Sequence, residues 1–378
     1  MKVALVHDWL VDFAGSERVL FELAKLFPDA PIYTSVYSER ALANVFPKER
    51  VRTSFLQKIP LSVKRYRSLL PFLPFAFEMF DLTGYDVIIS SSHACAKGVV
   101  AGSNSIHICY CHTPMRYAWS HYHQYLRGVR GTLKRATVGA ILSWLRTWDF
   151  IAAQRVDFFI ANSSEVNKRI RHYYRRDAVV IHPPISAPEG ENGDPERADF
   201  YLYLGRLVEY KRVDLLVDAF RHLPSARLIV AGDGPEMNRL RRSAPLNVEF
   251  AGKVTEDEKW DLLRRAKALL FPAHEDFGIV IGEARAVGTP VIGLAQGGVL
   301  DYAGDPGVLP WIKRQNLDDV KMAVDRFERE SFNSDVYEKY LIQTEDSFRN
   351  AVARLVDDLV ANKKGESRVG RAADARDH

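Results

Sequence analysis

The sequence predicts an α/β protein built from two doubly wound, Rossmann-like domains. Three observations carry this. The chain has 378 residues, 47% hydrophobic and 26% charged, a globular composition too long for one ordinary domain. Short apolar runs alternate with amphipathic helical patterns in both halves, as parallel strands covered on both faces require. Residues 182–199, HPPISAPEGENGDPERAD, gather four prolines and two glycines among charged residues between the two series, which is linker composition.

In the first half the strand candidates are KVALVH, APIYTSV, YDVIISS, SIHICYC and DFFIAN. The first leads through a loop into a helix whose Val19, Leu20, Leu23, Leu26 and Phe27 share one face. In the second half they are FYLYLG, ARLIVAG, ALLFPA and PVIGLA, and residues 315–362 read as helices. The expected domains are therefore 1–183 and 199–342, joined by a linker at 184–198. A helix at 343–362 follows, and a disordered tail at 363–378 that has almost no large apolar residues.

Charge divides the halves. Residues 1–182 hold 24 Lys and Arg against 14 Asp and Glu, a net of +10, while the remainder holds 28 against 34, a net of −6. A basic half suits an anionic surface or a phosphorylated substrate. Cys95, Cys109 and Cys111 are too few for a disulfide framework and read as core thiols in a reducing compartment. The opening MKVALVHDWL has too short an apolar run for a signal peptide. No run reaches the roughly 18 apolar residues of a spanning helix, so a cytoplasmic or peripheral protein is expected.

Chemistry-bearing residues collect where strands end, which is where open parallel sheets bind ligands. Arg206 and Lys211 follow the strand ending at Gly205. They are either a clamp for a diphosphate or a pair of solvated surface cations. Gly232-Asp233-Gly234 after the next strand permits a tight turn near a ligand. In FPAHEDFGIVIGEAR, Glu275 and Glu283 stand with seven residues between them. A helix beginning near Gly278 would offer its first free N–H groups to an anion. Glu275 would lie before it and Glu283 one to two turns in, able to accept hydrogen bonds from a ribose diol. The apolar surroundings of Glu283 argue against an ordinary surface glutamate. In the first half, Ala14-Gly15-Ser16 stands at a helix mouth, Asp8 and Asp12 beyond the first strand are either acid/base groups or loop caps, and His112 and Arg116 follow SIHICYC.

Together these stretches resemble glycosyltransferase family 4, retaining enzymes of the GT-B fold. The resemblance runs in order through AGSERVL, YCHTPMRYAW, YLGRLVEYKRVDLLVDAF, VAGDGPE, FAGKVTEDEKWDLLRRAKALLFPAHEDFGIVIGEARAVGTPVIG and GGVLDY, across about residues 1–305. The front half is most similar to bacterial mannosyltransferases of O-antigen and exopolysaccharide assembly. It departs from their pattern at Ala14, where they carry glycine, and at Ser120, where they carry aspartate.

The resemblance implies two domains facing across a cleft, with the C-terminal helix returning to the first. The first domain would bind the acceptor and the second the nucleotide sugar. Arg206 and Lys211 would hold the donor diphosphate, and Glu283 the ribose. Glu275, with the amides of Phe277, Gly278 and Ile279, would position sugar and phosphate. Lys253 and Val254 would flank the base, Gly15 would approach the donor, and His112 would contact the sugar. Asp8 and Arg116 fall to the acceptor side. No metal or other cofactor is implied.

The expected donor is GDP-mannose and the expected acceptor a lipid-linked saccharide at the anionic inner face of the cell membrane. Basic aromatic stretches at 55–80 and 116–148 fit such a surface, or else a solvated face over ordinary core. No nucleic-acid motif is present. Another nucleotide sugar, a soluble acceptor, or a catalytically silent nucleotide-sugar-binding partner are the alternatives.

Overall fold

The computed structural model describes residues 1–186, 188, 197–330 and 334–374, with 334 and 364–374 in backbone only. They form two compact units. One is Met1–Pro184 with the helix that begins at Glu345; the other is Ile185–Thr344.

The first unit carries strands β1 (Val3–His7), β2 (Ile32–Thr34), β3 (Val51–Thr53), β4 (Val87–Ser92), β5 (Ile106–Cys111), β6 (Phe158–Ala161) and β7 (Ala178–Val180). They lie in the order β3-β2-β1-β4-β5-β6-β7, every pairing parallel. Its helices are α1 (Gly15–Leu26), α2 (Glu39–Leu42), α3 (Leu73–Glu78), α4 (Tyr122–Arg127), α5 (Thr132–Gln154) and α6 (Ser164–Arg169). Successive strand residues face opposite sides. Leu5 and Ile89 therefore join Val19, Leu20 and Leu23 of α1 in one core, while Ala4, Val6 and Ile88 join Leu73, Phe77, Leu142 and Leu145 in another. Cys95, Cys109 and Cys111 are buried free thiols.

The second unit carries β8 (Tyr201–Leu204), β9 (Leu228–Ala231), β10 (Val248–Gly252), β11 (Ala268–Phe271), β12 (Val291–Leu294) and β13 (Val308–Ile312), in the order β10-β9-β8-β11-β12-β13 and all parallel. Its helices are α7 (Val213–Phe220), α8 (Met237–Ser243), α9 (Glu256–Arg265), α10 (Ile279–Ala286) and α11 (Leu317–Arg329). Tyr201 and Tyr203 pack with Leu216, Phe220 and Val324 on one face. Leu202 packs with Leu263, Ile281 and Ala284 on the other. Both sheets are thus doubly wound. Strand order turns between β1 and β4 in the first and between β8 and β11 in the second, and each turn opens a crevice at the strands' carboxyl ends.

The last helix, α12 (Glu345–Asp374), returns to the first unit. Its Phe348, Val352 and Val356 enter the core under α1, and Arg349 pairs with Glu22. Its backbone runs on through 363–374, where a disordered tail was expected; Lys, Glu, Arg and Ala there are good helix formers and extend a helix already nucleated. Residues 375–378 lie outside the described residues, as do 187 and 189–196 of the expected linker. The described ends of that linker are anchored. Ile185 is buried in a core of the second unit, and Arg197 donates to the carbonyls of Arg264, Ala266 and Gly288. Among the described residues no helix is long and apolar enough to cross a membrane.

Candidate functional site

In the second unit the expected donor residues gather at the β8/β11 switch. Lys211 ends a short 3-10 turn, Glu209–Lys211, after β8. Its ammonium lies 2.5 Å from Glu275 Oε1, which follows β11. Both side chains are largely buried, so the pair attracts more strongly than a surface pair. Arg206 stands apart. Its guanidinium is exposed and makes no hydrogen bond or ion pair among the described residues.

Gly278 caps α10 with φ +80°, a left-handed conformation that favours glycine. The first amides of α10, at Ile279 and Val280, have no acceptor within the helix. Phe277 is buried, its ring 5.3 Å from that of Tyr302. The loop is held from behind by Gly297-Gly298. Gly298 N–H donates to Glu275 O at 2.8 Å, and a Cβ at Gly298 would stand 2.4 Å from Phe277 Cα. The GGVLDY stretch therefore supports the HEDFG loop.

Glu283 is buried, as its apolar neighbours in sequence foretold, and its partner is Lys259 of α9, with Nζ 2.8 Å from Oε1. Lys259 also contacts Glu256 at 2.5 Å. Lys253 is exposed in the loop between β10 and α9, and Val254 beside it is half-buried against the core.

Gly232 and Gly234 hold a tight turn after β9. They let two strand-end loops touch. A Cβ at Gly232, where φ is +134°, would stand 1.9 Å from Gly205 O, and one at Gly234 2.2 Å from Leu207 O. Leu207 N–H in turn donates to Asp233 O at 2.9 Å. Gly232→Ala is expected to cost at least about 1–3 kcal/mol, read as a lower urea midpoint; an unchanged midpoint would show that the loops can part freely.

In the first unit His112 follows β5. Its Nε2 lies 2.8 Å from Ser91 Oγ at the end of β4. Arg116 is half-buried in the next loop, near enough to His93 to oppose its protonation. Gly15 opens α1, with Glu17 reaching back to Ala14 N–H at 3.1 Å.

Asp8 does not fit the acceptor role expected of it. It is fully buried, and its carboxylate accepts four backbone N–H groups, from His93, Ala94, Cys95 and Ala96. Burial alone would raise its pKa, but His93, His7 and these N–H groups hold it below the ordinary carboxylate range. Asp8 therefore caps a turn.

Burial holds His93, His107 and His112 below the ordinary imidazole range. Asp8 opposes the shift at His93 without reversing it, Arg155 adds to it at His107, which falls to about 3, and His93 and His7 add to it at His112. Unfolded histidines take up protons near pH 6.5, and these folded ones do not. Stability is expected to be full above about pH 6.5 and to fall as pH drops. Each histidine contributes a slope of about 1.4 kcal/mol per pH unit until its folded pKa is reached. Depressed Asp8 loses its contribution in the same direction, below about pH 4. Urea midpoints measured from pH 8 to 4 test this, and His107→Asn should flatten the slope by one proton; a midpoint unchanged down to pH 5 would contradict it.

The basic aromatic stretches divide. Trp119 donates to Asp149 at 2.8 Å and stacks on Tyr173, and Trp148 donates to Glu78 at 2.9 Å. Both serve the packing of α5, while Tyr125 and Trp144 of the same stretch are 55% and 49% exposed. Leu61, Phe72, Phe75 and Met79 are 55–60% exposed, with Lys58, Lys64, Arg65 and Arg67 exposed around them.

Known proteins agree with this architecture. Residues 13–187 match the family described as Glycosyltransferase Family 4, and residues 186–343 match Glycosyl transferases group 1. The two matches run in order and together span residues 13–343, one for each half of the chain. It is 32% identical over 159 residues to an uncharacterized glycosyltransferase of Methanocaldococcus jannaschii, covering 37% of this chain and 40% of that one. It is 30% identical over 176 residues to the D-inositol 3-phosphate glycosyltransferase of Streptomyces bingchenggensis, covering 38% and 39%. The chain thus spans about two fifths of the length of these curated relatives. Among solved structures, Anabaena HepE in complex with UDP and glucose is similar at a TM-score of 0.64 and 16% identity, covering 94% of this chain and 99% of that one. That likeness bears on the fold, which is GT-B.

Sequence reasoning about this chain missed Lys259, Ser91, His7 and Glu17. Lys259 was hidden because EDEKWDLLRR of α9 reads as an ordinary exposed helix. His7 and Ser91 were legible as polar residues at strand ends, but only the β1/β4 pairing puts them side by side.

Proposed function

We propose that the chain is a retaining glycosyltransferase that moves mannose from GDP-mannose to a lipid-linked saccharide at the inner face of the cell membrane. The observation that carries the transferase reading is the Lys211–Glu275 pair beside the N-terminus of α10. Cleaving a glycosyl–diphosphate bond releases a diphosphate and develops positive charge on the sugar. A fixed ammonium and first-turn N–H groups stabilise the departing anion, and a neighbouring carboxylate stabilises the sugar. Glu283, steered by Lys259, is the acceptor for a ribose diol. Lys253 and Val254 border the base, and Arg206 supplies a second, exposed cation. His112 contacts the transferred sugar.

GDP-mannose is favoured by the VHDWL and HTPMRYAW stretches, which resemble mannosyltransferases. Calorimetry with GDP-mannose, UDP-glucose and dTDP-glucose, followed by turnover, tests it. Heat and turnover with GDP-mannose are expected, and turnover should persist in EDTA. Selective binding of a UDP- or dTDP-sugar would reassign the donor, and binding without turnover would favour the silent partner.

The exposed apolar and basic surface of residues 58–79 supports the membrane reading, since each Lys or Arg near an anionic surface contributes about 1 kcal/mol and salt screens it. The chain is expected to sediment with phosphatidylglycerol vesicles and not with phosphatidylcholine vesicles. Replacing Lys64, Arg65 and Arg67 by Glu should release it while donor binding is kept. No sedimentation at low salt would favour a soluble acceptor.

A further inference from the structure

Four side chains of the first unit form one hydrogen-bonded line. Glu17 Oε1 lies 3.2 Å from His7 Nε2, His7 Nδ1 lies 3.1 Å from Ser91 Oγ, and Ser91 Oγ lies 2.8 Å from His112 Nε2. The sheet's turning point delivers them. His7 ends β1 and is in register with Ser91 of β4. His112 is the first residue beyond β5, and Glu17 lies in the first turn of α1. Glu17, His7 and Ser91 are buried, so water does not compete for their hydrogen bonds.

The direction of the line follows from its Glu17 end. Glu17 Oε2 accepts from Ala14 N–H and Ser16 O–H, at 3.1 and 3.0 Å. Burial alone would raise this carboxyl, but its hydrogen bond with His7 holds it below the ordinary range. Glu17 is therefore an ionised acceptor, and His7 Nε2 carries the hydrogen between them. With His7 neutral, its bare Nδ1 accepts from the Ser91 hydroxyl. Ser91 has then used its one hydrogen, so Oγ accepts from His112 Nε2–H. The other ring nitrogen of His112, Nδ1, keeps its lone pair and makes no hydrogen bond among the described residues.

We propose that Glu17, His7 and Ser91 are positioning residues that hold His112 in its Nε2–H tautomer and present Nδ1 as an acceptor to a substrate hydroxyl. The hydrogen bond at one ring nitrogen decides what the other can do. This rests on the reading of His112 as a substrate contact. A ring held only by packing would populate both tautomers, and the Nδ1–H fraction would offer a hydrogen where a lone pair is wanted.

The test uses the full chain with 15N-labelled histidine at pH 8. Two-bond proton–nitrogen correlations distinguish Nε2–H from Nδ1–H, and His112→Gln assigns the ring. Wild type is expected to show the Nε2–H pattern alone, and Ser91→Ala a mixture. Turnover of whichever of GDP-mannose, UDP-glucose or dTDP-glucose the wild type consumes should fall about 10–100-fold in kcat in Ser91→Ala, as when a partner orienting a functional imidazole is lost. KM should change little. Ser91→Thr keeps the hydroxyl and should restore both pattern and rate, which separates the relay from a folding defect. An Nδ1–H wild-type ring, or a pattern unchanged in Ser91→Ala, overturns the relay. A changed pattern with undiminished turnover overturns the positioning role, and full turnover by His112→Ala would trace that failure to the reading of His112 itself.

Discussion

Lys211→Ala is expected to lower kcat by about 10²–10³, the range for removing one fixed group that stabilises a developing anion. It should also weaken nucleoside diphosphate binding by about 1.5–3 kcal/mol. The size of the effect comes from what Lys211 leaves behind. Its partner Glu275, 2.5 Å away, is largely buried, loses the cation beside it, and would repel the diphosphate that Lys211 attracted. The double variant Lys211→Ala with Glu275→Gln should therefore bind the diphosphate more tightly than Lys211→Ala alone, though its kcat stays low. Calorimetry and initial rates on the three proteins give the comparison. Lys211→Ala with wild-type affinity and wild-type kcat would remove the pair from the site.

Arg285→Met should give the largest loss of stability, about 3–5 kcal/mol, because it breaks a buried ion pair from one side. Arg285 is 1% exposed. It holds Asp305 with two hydrogen bonds, of 2.7 and 2.9 Å, and donates to the carbonyls of Val336 at 3.0 Å and Glu338 at 2.7 Å. Glycine at 307 makes room, since a Cβ there would stand 2.0 Å from the guanidinium carbon. Methionine nearly fills the volume and satisfies none of these acceptors. It leaves the Asp305 carboxylate buried with only the Gly307 N–H at 2.9 Å. The urea midpoint measures the loss, and faster proteolysis near Val336–Glu338 should accompany it. Asp305→Asn in the Arg285→Met background should recover part of the stability, since it removes the stranded charge. A midpoint within about 0.5 kcal/mol of wild type, the range for surface changes, would show that the pair is dispensable.

The sequence by itself determined the interior of both sheets. Nine strands were legible because a parallel strand covered on two faces must be apolar at nearly every position, as LIVA and ALLF are, buried throughout in β9 and β11. The four strands it did not reveal are β3, β7, β10 and β13, and these are the four sheet edges. An edge strand has one neighbour and often one wet face, so Arg52 and Thr53 in β3, Val179 and Val180 in β7, and Glu249 and Ala251 in β10 are exposed. Pro310 sits in β13, where an edge tolerates a missing N–H. No apolar run marks such strands.

The candidate site divides in the same way. Glu275, Glu283, Gly278 and Lys211 were visible because loop, helix start and spacing are local properties of a chain. Asp8 looked equally available, a carboxylate at a strand end. Only the β1/β4 pairing brings the amides of His93 to Ala96 over it. The same pairing sets His7 beside Ser91, and α9 lays Lys259 against Glu283. Hydrogen-bond partners 24 to 88 residues apart in sequence follow from strand order and helix packing, which no local pattern encodes. Spacing therefore said which groups could act, and the tertiary fold decided which of them were already committed to holding the chain together.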